Sequence, residues 1–251
     1  MGSTCDTIRR HVVDGVSIDT NAQHTILCRI ARNLSIEYIN AGVPGSANQF
    51  IILQFLRYLK SSMYDKDDIF VIFSSSFERI YAYGMPPYIG PVQWLSDGGF
   101  VKRAGLSNDE LAWVTHNIRH VQWAAANINE SSVCISTLSF ASIIQAWATS
   151  NPTHQVILYP GFSLNVEDSA PFVLDIIKPI GNFYPFYDYV PLYPMSAREF
   201  ESVNSMIADF SKHGDSRTNH FNNANLDKIA KMFTEVIQNR DRSFFNTDVI
   251  T

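Results

Sequence analysis

Asp68-Ile-Phe-Val-Ile-Phe73 decides the fold. Five apolar residues follow one another, and all are β-branched or aromatic. Such a run reads as a strand of a parallel sheet covered on both faces, because an antiparallel strand with one wet face alternates apolar and polar residues. Its neighbours fit a parallel sheet. Residues 21–34 carry Ile26, Ile30 and Leu34 on one side of an amphipathic helix. Ile36-Glu-Tyr-Ile-Asn40 is expected as a short strand. Ser46-Ala-Asn-Gln49 has the spacing of a capping box and opens a helix over 47–62. That helix is apolar on most faces through Phe50, Ile51, Ile52, Leu53, Phe55, Leu56 and Leu59.

Beyond the run, Ser107-Asn-Asp-Glu110 is a second capping box, with a helix to about residue 127. A further helix is expected over 131–149 and a strand over His154–Tyr159. A third box, Ser196-Ala-Arg-Glu199, opens a helix to about residue 210. Leu226, Ile229, Ala230, Phe233, Val236 and Ile237 place one apolar face on a last helix over about 223–239. Residues 84–106 and 160–195 are rich in Gly, Pro and aromatics and read as loop extensions. The order alternates strand and helix without repeat or linker. One α/β domain over 1–251 is therefore expected, three-layer α/β/α with a doubly wound parallel sheet.

Composition narrows the function classes. The 251 residues are 46% hydrophobic and 17% charged, which suits a chain with a sizeable core. A net charge of -5 without a basic stripe argues against nucleic acid as a partner. Cys5, Cys28 and Cys134 are an odd set without a C-x-x-C, so neither a disulfide framework nor a zinc site is expected. His116 and His120 lie four apart, the spacing of two ligands on one helix face, but lack a third partner, so no metal is assigned. Asp6-Thr-Ile-Arg-Arg10 interrupts any leader-like run, and no stretch is long enough to span a bilayer. The expectation is a protein of a host cell's cytoplasm, or one assembled there into a particle, with no membrane partner.

In an open α/β sheet, ligands bind outside the carboxyl ends of the strands. Three junctions qualify: Asn40–Ser46, Ser74–Arg79 and Tyr159–Ser163. Gly42 and Gly45 let backbone N–H groups approach a ligand closely and form part of an oxyanion hole, or else serve a tight turn. Arg79 suits a carboxylate or phosphate, or a structural salt bridge. His220, just before the last helix, is the histidine best placed to join these junctions.

Asn40-Ala-Gly-Val-Pro-Gly45 resembles the second sequence block of the SGNH (GDSL) hydrolase superfamily, where an asparagine and a glycine N–H bind the oxyanion. His220-Phe-Asn-Asn-Ala-Asn225 resembles the last block, where histidine is the general base. Thr25–Leu59 is similar to SGNH-like proteins of tailed bacteriophages, and the likeness runs from about residue 2 to 240. It implies a flavodoxin-like fold and a serine-type esterase without cofactor. Ser3 or Thr4, in a Gly2-Ser3-Thr4 turn, would be the nucleophile, His220 the base, and Gly42, Asn40 and Ser76 the oxyanion donors. An acylated carbohydrate is the substrate the family suggests. The blocks also depart from the pattern. No strand precedes Gly2 in this sequence, Ser74-Ser-Ser76 stands where the family has Gly-x-Asn-Asp, and Arg217 stands three before His220 where an aspartate is usual. Asp215 is the substitute orienter. The alternative these departures favour is an inactive SGNH-like module, kept for binding or for protein partners in a virion.

Overall fold

The computed structural model describes residues 10–19, 25–42, 46–75, 130–161, 175–187 and 223–246, with Ala112, His116 and Arg119 as isolated helical positions. Its elements are strands β1 (Arg10–Val13) and β2 (Val16–Asp19), helices α1 (Ile26–Leu34) and α2 (Asn48–Leu59), strand β3 (Ile69–Ser74), helix α3 (Glu130–Ser150), strands β4 (Gln155–Pro160) and β5 (Phe183–Pro185), helix α4 (Asn223–Asn239) and a 3-10 turn at Arg242–Phe244.

The apolar run is β3. It pairs in parallel with β4, from Ile69 opposite Gln155 to Ser74 opposite Pro160, and β4 pairs in parallel with β5. The order is β3-β4-β5, so the structure is α/β with a three-stranded parallel sheet. Side chains alternate across a strand, and here the alternation sorts the core. Ile69, Val71 and Phe73 join Ile157, Tyr159, Tyr184 and Phe186 against α1 and α4. Phe70 and Ile72 join Val156, Leu158 and Phe183 against α2 and α3. Helices therefore cover both faces, which is why the strands lack the alternating pattern of a half-wet sheet.

The helices run back from the carboxyl edge of the sheet. Gln155, first in β4, donates to the carbonyl of Ile237 near the end of α4 (3.1 Å). Helix α1 lies parallel to α4, tied by an Arg29–Asp227 ion pair and by Asn33 donating to Thr234 (3.3 Å). Thr25 caps α1 by accepting from Cys28 N–H (3.2 Å), and Ser35 ends it in the left-handed region with φ 56°. The apolar face expected for the last helix is the one buried, from Ile229 to Ile237.

Several expectations need correcting. Ile36–Asn40 forms no named strand beyond a β-bridge at Asn40, and Ile36, Tyr38 and Ile39 are exposed at 49%, 37% and 38%. Helix α1 begins at Ile26 rather than near residue 21, because Thr25 is extended and caps it. Helix α2 has Ala47 at its N-cap and no side-chain cap, so Ser46 makes no capping box. It stops at Leu59 and leaves Leu56 exposed. Phe183–Pro185, expected within a loop extension, is a fully buried strand. The hairpin β1–β2 was not expected at all. Its turn is Asp14-Gly15, both with positive φ (49° and 80°), the geometry that pairs best with the twist of a hairpin. The loop 84–106, the helix to about 210 and most of the helix over 107–127 lie outside the described residues.

Candidate functional site at the carboxyl edge of β3

Helix α2 and β3 meet at the carboxyl edge through one buried side chain. Asn48 Nδ2 donates to the carbonyl of Ser75 (2.9 Å), and Ser75 N–H donates back to Asn48 Oδ1 (2.6 Å). Both residues are buried. This amide reproduces a strand's two-bond pattern and fixes the first turn of α2 against the end of β3. Gly161 N–H donates to the carbonyl of Ser74 (3.0 Å), which joins the ends of β3 and β4.

Asn40 and Gly42 lie beside this edge. Asn40 Oδ1 accepts from Gly42 N–H (3.0 Å), an Asx turn. The N–H expected to serve an oxyanion thus points at a side-chain oxygen of its own turn.

Two hydroxyls sit deeper. Ser74 Oγ and Tyr187 Oη are buried without a hydrogen bond of ordinary geometry. Burial pushes the Tyr187 hydroxyl well above the usual tyrosine range, with the Ser74 hydroxyl pulling the other way. Ser74 is enclosed, so it is not a nucleophile for a substrate arriving from solvent.

A cavity of about 570 Å³ opens beside these residues. It runs the length of β3, from Asp67 and Asp68 at the amino end to Asn40, Gly42 and Ser46 at the carboxyl end, with α1 and α2 as walls. Its lining is largely apolar side chains of Ile30, Leu34, Ile51, Phe55 and β3 itself.

Of the candidate residues, the structure brings together Asn40 and Gly42. Ser3, Thr4, Ser76, Arg79, Asp215 and His220 lie outside the described residues. Helix α4 does begin toward the carboxyl edge, three residues after His220, because its other end is fixed at the start of β4. His116 is exposed on its helix. His154 is a packing residue, buried between Phe70, Trp147 and Tyr64, with Tyr64 Oη 3.0 Å from Nε2 and Thr153 Oγ1 3.2 Å from Nδ1. Cys28 and Cys134 are free thiols. Among the described residues no group of His, Cys, Asp or Glu could hold a metal, and no helix is long and apolar enough to cross a membrane. The residue that sequence reasoning missed is Asn48. Its signal was an asparagine at the first turn of an apolar helix, where a small polar side chain usually bonds locally.

No protein-family model, curated protein or solved structure matches the chain.

Proposed function

We propose that the chain is an SGNH-like α/β/α domain with a doubly wound sheet, and that its carboxyl edge is an acyl-ester hydrolase site. One observation carries the reading: the Asn40–Gly42 turn, whose Gly42 N–H is engaged by Asn40, lines an apolar cavity beside a parallel strand. The order of helices around the sheet and the start of α4 at the same edge support it.

In the proposed reaction the hydroxyl of Ser3 or Thr4 attacks the ester carbonyl carbon. His220 takes the hydroxyl proton, and Asp215 orients the imidazole. The carbonyl oxygen gains the negative charge and receives Gly42 N–H and the Asn40 amide once the Asx turn opens, with Ser76 as a further donor. His220 then gives its proton to the leaving alcohol, and water repeats the sequence on the acyl-enzyme. Arg79 would bind an anionic group of the substrate. An acylated carbohydrate is the substrate class, and no cofactor is needed.

The second reading is a non-catalytic binding module, such as a virion component with protein partners. It is favoured by the Gly42 N–H already being engaged by Asn40. The two separate in one assay. Short acyl esters of p-nitrophenol are offered to the purified protein and to His220→Ala. A turnover lost in the variant supports the hydrolase; equal rates for both proteins reject it and leave the binding module.

A further inference from the structure

Pairing of β3 with β4 ends at Ser74 opposite Pro160, and proline has no N–H with which to extend the ladder. The next residue, Ser75, is held from a helix. Its N–H donates to Asn48 Oδ1 (2.6 Å) and its carbonyl accepts from Asn48 Nδ2 (2.9 Å). A carboxamide carries an acceptor and a donor side by side, so one short side chain grips both backbone groups of one residue. Asn48 and Ser75 are both buried, and water does not compete for either bond. Asn48 is itself fixed, because it opens a helix that buries Phe50 and Phe55.

The covalent neighbours of this pair give the clamp a chemical consequence. Ser76, the further oxyanion donor of the proposed reaction, follows Ser75 directly. It lies outside the described residues, so only its starting point is set by them. That start is closely set: the peptide joining the two serines is planar, and their Cα atoms are ~3.8 Å apart. On the other side of the clamp, Ser46 stands two residues before α2 and lines the same cavity as Asn40 and Gly42. The two donor segments thus come from distant parts of the chain. Asn48 ties the helix that follows the first segment to the strand that precedes the second. Donors to a developing oxyanion have to be held within about 0.5 Å of the productive place, and a serine hydroxyl has little reach with which to make up an error.

We propose that Asn48 is a positioning residue of the carboxyl-edge site. Through Ser75 it sets the Ser76 hydroxyl relative to Gly42, without touching substrate. The inference rests on the hydrolase reading and deepens it. A side chain that only held the fold together would change how much protein is folded and leave the turnover of the folded protein unaltered.

The test is a double-mutant cycle on the whole chain, with p-nitrophenyl acetate as the ester. Wild type, Asn48→Ala, Ser76→Ala and the double variant are compared, each corrected for its folded fraction by circular dichroism. Turnover by wild type is expected to be lost in His220→Ala. Asn48→Ala is expected to lower kcat at least roughly tenfold and to leave KM within about twofold. The double variant is expected to be no slower than Ser76→Ala alone, because Asn48 acts through Ser76. Losses that multiply in the double variant overturn the proposal, since the two residues then act independently. An unchanged kcat in folded Asn48→Ala, or in Ser76→Ala, overturns it and leaves the hydrolase standing. No turnover by wild type overturns the hydrolase reading and this inference with it. Asn48→Asp carries the same cycle at pH 7 should the alanine variant fold poorly: it keeps the bond from Ser75 N–H and loses the one to the Ser75 carbonyl.

Discussion

Asn48→Ala removes both hydrogen bonds between α2 and the end of β3. Asn48 is 5% exposed and Ser75 is fully buried, so water does not replace the lost partner. Depriving a buried backbone donor or acceptor costs about 1–3 kcal/mol, so losing the Ser75 N–H and C=O bonds together costs about 2–6 kcal/mol. With a urea slope of about 3 kcal/mol/M, the unfolding midpoint falls by about 1 M. Asn48→Asp sharpens the test. At neutral pH its carboxylate still accepts from Ser75 N–H, but it faces the Ser75 carbonyl without a proton to donate, in a site that disfavours charge. Protonated, the same side chain restores both bonds. The folded-state pKa of the new carboxyl is thus raised above its unfolded value. The folded protein binds more protons between those two values, so the variant gains stability relative to wild type as pH falls from the folded pKa to the unfolded one, and no more below it. Each unit of that shift is worth about 1.4 kcal/mol. Urea unfolding at pH 7 and at pH 4.5, followed by circular dichroism, measures both. A midpoint for Asn48→Ala within about 0.2 M of wild type, or an Asn48→Asp difference that does not shrink at low pH, would refute the clamp.

Thr25→Ala removes the cap of α1 and should cost about 1 kcal/mol, seen as a melting temperature lower by about 2–4 °C. Asp14 has its carboxyl held below the ordinary aspartate range, first by the Ser62 backbone N–H and then by the Ser62 hydroxyl. Its contribution is therefore present above the unfolded-state pKa and lost as pH falls through the folded one. In an NMR titration Ser62→Ala should move the Asp14 midpoint part of the way back up; an unmoved midpoint would reject the hydroxyl's share. Tyr187→Phe deletes a buried hydroxyl whose neighbour Ser74 Oγ makes no hydrogen bond of ordinary geometry with it, so thermal melts should show equal or greater stability, and a loss above about 1 kcal/mol would show that the Ser74 contact is a true bond.

Elements whose apolar pattern is buried as written were legible in the sequence. Strand β3 and helix α4 follow directly, because Ile69–Phe73 has helices on both sides and Ile229–Ile237 presents one stripe to the sheet. Ile36–Asn40 misled because strand propensity reports a fit to a half-buried pleated surface, and among the described residues the segment forms no named strand, only a bridge at Asn40. The capping box at Ser46 misled for a different reason. Spacing cannot tell whether a polar side chain bonds to its own helix or to an element 27 positions on, as Asn48 does. The hairpin was readable from Asp14-Gly15 between two apolar stretches, a dipeptide that the fold argument passed over. Phe183–Pro185 was hidden by its surroundings, since a three-residue strand ending in proline carries almost no periodicity. At the site, the Asn40–Gly42 turn was legible as a small-residue junction, whereas its internal hydrogen bond depends on a rotamer that sequence does not specify.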